Sequence, residues 1–474
     1  MNKILFYMLA VVLAACTRMC RDCMALETIS SGWNVVDVGE GMKPAFDFDA
    51  DDNIHLMAFS PNSFDVLYDS APSITGAWDL RSVANGSFYG PGDLVVDQNG
   101  VSHLAWHDHG FDGGSPNHLT INSAGTVTDF PIVAPGHNGW DNALAVDNVG
   151  VVHQSSINPS GFGAPDGLEY GKFDGSGWPG YDSIAGTGQV MYGFATDIDI
   201  DSNNFAHMVY SQATLATEIG DLNYVQDSAG GFSITTIVDD GISRFVSIAV
   251  DFEDRPHIAW LEFDPADTTT GSVMYGVLEN SSWTFETVAA SIANVDIFQG
   301  RKQVSLVLDD NDQPHIVYGE QRSINYATKA GSSWNSVIVA SSNENIYNGL
   351  VILRLNSLDQ PTIAFFNASN LVRLATLDSS RPDGDFNESG LVDASDLNLV
   401  LFNWNVLGQD LEVQAPAWTF MQPDDGVAVG ATELNKVLFT WNESLSLTAT
   451  VPEPSGIVVP CMGAMLAVSV MKRK

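Results

Sequence analysis

Cysteine and positive charge are what this chain has least of. Four cysteines occur in 474 residues, Cys16, Cys20, Cys23 and Cys461, so the long stretch between them can hold no disulfide and must be stabilised by its core alone. Lys and Arg number 19 against 58 Asp and Glu, a formal net charge of −39. Nothing in that balance offers the basic stripe on which counterion release from a phosphate backbone depends, so nucleic acid is excluded as a partner. The acidity suits a well-solvated exported surface, or one with affinity for Ca²⁺ or cationic material.

What the chain has in abundance is a repeat. Asp or Asn is followed six residues later by His or Thr at Asp49/His55, Asp97/His103, Asp147/His153, Asp201/His207, Asp251/His257, Asp309/His315 and Asn356/Thr362. The second members are 48, 50, 54, 50, 58 and 47 residues apart. Apolar runs flank each pair, as in DLVVD before and HLAW after, which reads as two strands joined by a tight turn rich in Asp, Asn and Gly. A third strand carries L-x-Y or its like at Tyr68, Tyr170, Tyr224, Tyr275 and Tyr326, and a fourth opens on Trp78, Trp178, Phe232, Trp283 or Trp334. Four short strands recurring every ~50 residues predict the blades of a β-propeller.

The ends of the array predict its closure. The seventh unit stops at Leu371–Leu377 with no Trp strand after it, while Ser31-Gly-Trp-Asn-Val-Val-Asp-Val38 precedes the first unit. An N-terminal strand completing the last blade leaves no open sheet edge. The expected fold is all-β, a seven-bladed propeller over residues 29–379 closed by that strand, then a small helical module and a hydrophobic C-terminal helix.

Both termini read as sorting segments. Residues 1–25 begin with a basic Met1-Asn-Lys3 and continue into an apolar stretch too short to span a membrane, the form of an export signal. Leu13-Ala-Ala-Cys16 resembles a bacterial lipobox, leaving lipidation of Cys16 and ordinary cleavage both open. Cys16, Cys20 and Cys23 also have the spacing of a radical-SAM cluster motif, but they abut the signal and no βα-barrel pattern follows, so the spacing is coincidental. Over residues 451–474, Val451-Pro-Glu-Pro-Ser455, an apolar stretch interrupted by Pro460 and Met471-Lys-Arg-Lys474 together resemble the PEP-CTERM sorting signal of Gram-negative and planctomycete bacteria. That resemblance implies an exosortase as a processing partner and delivery to the cell envelope, the outer surface or the medium; an ordinary membrane anchor would also place the chain at an envelope.

Between ring and tail, Asp385-Phe-Asn-Glu-Ser-Gly-Leu-Val-Asp-Ala-Ser-Asp396 places side-chain oxygens at loop positions 1, 3, 5, 9 and 12, Gly390 at the sharp turn and a Leu391 carbonyl at position 7. A hard cation needs that arrangement. The loop and the helix after it resemble a type I dockerin over residues 383–442, with Asp385, Asn387, Ser389, Asp393 and Asp396 on the family's calcium-ligand positions. Glu433-Leu-Asn-Lys-Val-Leu-Phe-Thr-Trp-Asn442 nearly duplicates Asp396-Leu-Asn-Leu-Val-Leu-Phe-Asn-Trp-Asn405, as the family's second helix does. The stretch before Glu433 lacks alternating oxygens, so one bound Ca²⁺ is expected. The resemblance implies a cohesin-like partner, with a role as a surface-assembly or spacer module as the alternative.

Chain direction separates two faces of the ring. The Asp-to-His turns and the third-to-fourth hairpins share one face, where an Asp accepts turn amides and a His bonds within or between blades, a scaffold role. The longer, non-repeated loops share the other, the better place for a site. Candidate ligand-binding residues there are Tyr89, His107, His109, His137, Trp140, Tyr192, Arg244, Arg301 and Tyr347, with Glu262 and Glu320 available as carboxylates. Aromatics with scattered polar groups suit stacking on sugar rings and bonding to hydroxyls. The Asp/His units also resemble the BNR-type repeats of exported bacterial propellers, among which polysaccharide lyases occur. The expected function is binding of a glycan or surface protein. The alternative is polysaccharide degradation, with His137, His107 and Tyr192 supplying acid and base and Arg244 or Arg301 neutralising a uronate.

Overall fold

A computed structural model describes residues 27–30, 32–85, 92–108, 115–130, 132, 140–158, 167–185, 195–213, 219–265, 267–293, 303–320, 322–331, 333–342, 347–377, 386, 392, 394–407, 411 and 428–439. The chain divides into two compact units, Met1–Ser379 and Ser380–Lys474. Every strand described lies in the first unit, and both helices lie in the second. Among the described residues no helix is long and apolar enough to cross a membrane.

The strands of the first unit pair antiparallel in seven successive groups of four, which together make a β-propeller-like architecture. The inner strands are Met42–Phe48, Asp93–Val96, Trp140–Val146, Thr196–Ile200, the C-terminal part of Ser233–Val250, Val304–Leu308 and Tyr347–Leu355. Each packs against the inner strand of the next group, and Tyr347–Leu355 packs back on Met42–Phe48. The seventh group is completed from the other end of the chain: Trp33–Glu40 pairs with Leu371–Leu377, Val35 opposite Ala375.

Why these residues form such sheets is visible in their alternation. An inner strand has neighbouring groups on both sides, so it is apolar on both faces and reads as a continuous run. In the seventh group Val351 and Leu353 pack toward the sixth, while Leu350 and Ile352 pack toward the first. Each of the seven interfaces has its own buried cluster, the last of which joins Phe366 and Leu374 to Phe46 and Leu56. Burial of each such side chain contributes about 1.5–3 kcal/mol, which is how a ring without a disulfide holds together.

The repeated pair turns out to be a two-sided clamp. In every unit Oδ1 of the Asp or Asn accepts the backbone amides two and four residues on; for Asp147 these are Val149 and Val151, at 3.0 and 2.8 Å. Oδ2 of the Asp faces His Nε2, at distances from 3.1 Å in Asp251/His257 to 3.7 Å in Asp97/His103. The other ring nitrogen, Nδ1, takes the hydroxyl of the L-x-Y tyrosine, 2.7 Å at His55–Tyr68, 2.8 Å at His153–Tyr170 and 2.6 Å at His207–Tyr224. A carboxylate can only accept, so it fixes hydrogen on Nε2 and leaves Nδ1 to accept from the phenol. Burial raises Tyr170, Tyr224, Tyr275 and Tyr326 above the usual phenol range, keeping them donors.

Two units vary the clamp. In the second, His118 occupies the tyrosine position, opposite Ala105, and its Nε2 meets His103 Nδ1 at 3.1 Å. A ring N–H there replaces the phenol O–H. In the seventh, Leu374 occupies that position, and Thr362 turns instead to Thr376 at 3.4 Å.

Two strands differ from the expected pattern. Glu27–Ile29 adds a fifth strand to the outer edge of the sixth group, pairing with Ala340–Ser342 and covering an edge that would otherwise be open. Ser233–Val250 runs unbroken from the outer edge of the fourth group into the centre of the fifth.

Candidate functional site

The centre of the ring is polar for a structural reason. An innermost strand is a sheet edge, and its outward amides need acceptors. Here the preceding group supplies them. Asp47 accepts from Val96, Asp93 from Leu144, Asp141 from Thr196, Asp197 from Ile248 and Asp199 from Val250, at 2.7 to 3.1 Å. Ser247 and Ser305 do the same for Leu306 and Leu353. All of these but Asp141 line a central cavity of about 380 Å³ with Arg354, which lies 3.7 Å from Asp47 and 3.9 Å from Asp93. Burial outweighs the guanidinium and raises Asp47, and it pushes Asp199 up to about 6.

The face opposite the clamps is assembled from strand ends. Five residues past the His or Thr, at the end of the second strand or, for Glu320, just beyond it, stand Asn158, Gln212, Glu262, Glu320 and Asn367, a polar residue in each case. Beneath three of these sit the buried aromatics Tyr210, Trp260 and Tyr318, two positions earlier and so on the same side of the strand. Glu262 Oε2 receives the Trp260 indole N–H at 2.8 Å and the Ser243 hydroxyl, which holds a partly exposed carboxylate in one orientation. Asp221 receives Gln212 at 3.1 Å, and its carboxylate lies with those of Asp239 and Asp240 within 4.8 Å of one another. Glu320 receives Asn325 at 3.3 Å. Bulges at the mouth-side ends of three inner strands put Lys43, Asp141 and Phe245 in left-handed backbone, φ 50°, 55° and 56°, at one level of the ring.

The expected ligand-binding residues fare differently. Tyr89, His109, His137, Tyr192 and Arg301 lie outside the described residues, and Trp140 and Tyr347 are described only as strand positions. The two whose side chains are placed do not open onto the mouth. His107 is 2% exposed and Arg244 is 1% exposed, its guanidinium 5.3 Å from the Phe263 ring centre. Both stand on strands whose flanks are covered by neighbouring groups, so they are packed rather than presented. Sequence reasoning missed Ser243, which holds Glu262 and carries no repeat signal, and His118, for which Pro116-Asn-His118 in place of L-x-Y was the available sign.

In the second unit, helix α1 spans Ala394–Phe402 and helix α2 spans Ala431–Phe439, and the two pack together. Phe386, Val392, Val400, Val429 and Val437 form their core. Of the expected calcium ligands Asp396 is described, fully buried in the first turn of α1; Asp385, Asn387, Ser389, Leu391 and Asp393 lie outside the described residues. Glu433, the counterpart of Asp396, bends back to accept the Gly430 amide at 2.7 Å, a helix cap.

No protein-family model and no curated protein matches the chain. Among solved structures it is similar to an ulvan lyase of a new polysaccharide lyase family bound to a GlcA(1-4)Rha3S chain, with a TM-score of 0.54 and 12% identity over 72% of this chain and 94% of that one. It is also similar to virginiamycin B lyase from Staphylococcus aureus (TM-score 0.45, 9% identity, 73% of this chain and 99% of that one). A further polysaccharide lyase matches with a TM-score of 0.45 and 9% identity over 72% of this chain and 90% of that one. At these identities the likeness is one of fold, and the ulvan lyase carries it.

Proposed function

We propose that the seven groups are the blades of one closed seven-bladed propeller, and that this exported protein degrades a polysaccharide at the mouth opposite the clamps, by lyase or glycoside hydrolase chemistry. The observation that carries the reading is Glu262. It is a carboxylate oriented by Trp260 and Ser243, with Glu320 at the matching end of the next second strand. Two carboxylates beside one opening are what glycoside hydrolysis uses. The ulvan lyase, whose fold this chain approaches, is itself a polysaccharide lyase. Binding without turnover is the second reading, favoured because His107 and Arg244 are buried away from the mouth. A polysaccharide panel separates the readings when it records unsaturated ends, reducing ends and retention together. Product ends of either kind support degradation, retention alone supports binding, and the absence of all three on a folded protein overturns both.

The helical module we propose to hold one Ca²⁺ through Asp385, Asn387, Ser389, Asp393, Asp396 and the Leu391 carbonyl. Support comes from the burial of Asp396 and from Phe386 and Val392, whose packing anchors the loop at positions 2 and 8. Glu433 is committed to the Gly430 amide, which argues against a second ion. Calcium titration should therefore count one site, abolished by Asp385→Ala and by Asp396→Ala; no uptake, or two sites, would sink this assignment. In this reading the module tethers the propeller to a cohesin-like partner, and the terminal segments direct export and exosortase sorting to the cell envelope or the medium.

A further inference from the structure

The clamped turns are chained to one another around the ring, and the chain has a gap. The third residue after each clamp Asp or Asn has left-handed backbone: Asp52, Asn204, Asp254, Asp312 and Asp359 at φ 57° to 64°, and Gly100 and Gly150 at 71° and 85°. At the five Asp or Asn positions that side chain accepts the amide of the preceding blade's turn. Examples are Ser202 to Asp254 and Ser357 to Asp52, each at 2.8 Å. A glycine cannot do so. At Gly150 the Gln98 amide fills the place, 2.8 Å from where a Cβ would stand. At Gly100 nothing lies within 4 Å of that place.

The opening this leaves between the first and second blades is a groove of about 760 Å³ on the clamp face. Its lining includes the amides Asn53, Asn99 and Asn122, with Ser70 and Arg81. Arg81 reaches across to within 3.3 Å of the Cβ position of Gly125 in the second blade. Asp49, His55 and Tyr68, already fixed by their clamp, also border it. Amides, hydroxyls and carboxylates with a single guanidinium make paired donors and acceptors without a dominant charge, which is how vicinal hydroxyls of a neutral sugar are recognised. We propose that this groove is a second carbohydrate site, for neutral oligosaccharide, on the face away from the mouth.

The test exploits the five sister turns, four with Asp and one with Asn at this position, which show that such a side chain is accommodated in this backbone. Gly100→Asp should fold, bridge to the turn of the first blade and close the groove. Binding of neutral gluco-, manno- and xylo-oligosaccharides is followed by saturation-transfer NMR on the full chain, and product release from the polysaccharide panel is followed in parallel. The expected result is oligosaccharide binding that is lost in Gly100→Asp and weakened about 10-fold in Arg81→Gln, each with product release unchanged. Binding that survives both substitutions, or no binding of any of the three by the folded wild-type chain, overturns the proposal. Because the mouth is read by product release and polysaccharide retention, and the groove by the binding that Gly100→Asp removes, either site can fail without the other.

Discussion

The two faces of the ring use the same residue types to opposite ends. On the clamp face an Asp, a His and a Tyr meet five times in one geometry, the imidazole set between the carboxylate and the phenol each time. At the mouth, Glu262, Asp221 and Glu320 are each held by a different set of donors. Repetition marks groups spent on holding the chain. Irregularity marks groups whose setting differs from one unit to the next.

Substitutions should separate the faces by size of effect. The largest loss is expected from His153→Ala on the clamp face, which strands Asp147 and the buried Tyr170 hydroxyl together; unfolding in urea should show a loss on the order of 3 kcal/mol or more. A loss below about 1 kcal/mol would remove the clamp from the stabilising elements.

Acid should act next, and through the same groups. Burial holds His103, His118, His153, His207, His257 and His315 below the usual imidazole value of 6.5. The unfolded chain then takes up protons first. The stability these six confer is complete above 6.5 and is lost as pH falls through their lowered values. Asp199 has the opposite sign: raised from 3.8 to about 6, its contribution is present below 3.8 and lost as pH rises through about 6. Asp199→Asn keeps an acceptor for Val250. It should raise the melting temperature at pH 8 and leave it unchanged at pH 3, and an equal change at both would mean that charge is not the cause. The smallest effect on stability belongs to the mouth. Glu262→Gln should shift unfolding by no more than about 1 kcal/mol while lowering product release by about 100-fold, read on the polysaccharide panel.

The fold was legible where periodicity carried it. Asp/His spacing located the turns, and the unpaired Trp33 strand indicated which sheet it completes. What the sequence did not disclose follows from physics that has no period. Glu27–Ile29 is too short to signal a strand. Asp93 and Ser305 look like ordinary strand residues until the next blade's amides are placed beside them. Arg244 and His107 are typical mouth residues by type and loop position, yet bulges and neighbouring sheets decide whether such side chains emerge or are covered, and that is a tertiary matter. Gly100 is one of two glycines among the seven clamped turns, and nothing in the sequence sets it apart from Gly150.

The sheet built from Trp33–Glu40 and Leu371–Leu377 has a temporal meaning. Its Arg373–Asp37 bond joins residues 336 positions apart, so the first strand of the ring has no partner until nearly all of the domain has been made. Such a contact costs loop-closure entropy that the sheets built wholly from local hairpins avoid; the sixth shares the cost only through Glu27–Ile29. A chain read as exported would cross its membrane with that strand still single, and the step that ends its vulnerability to proteases is the last one to form.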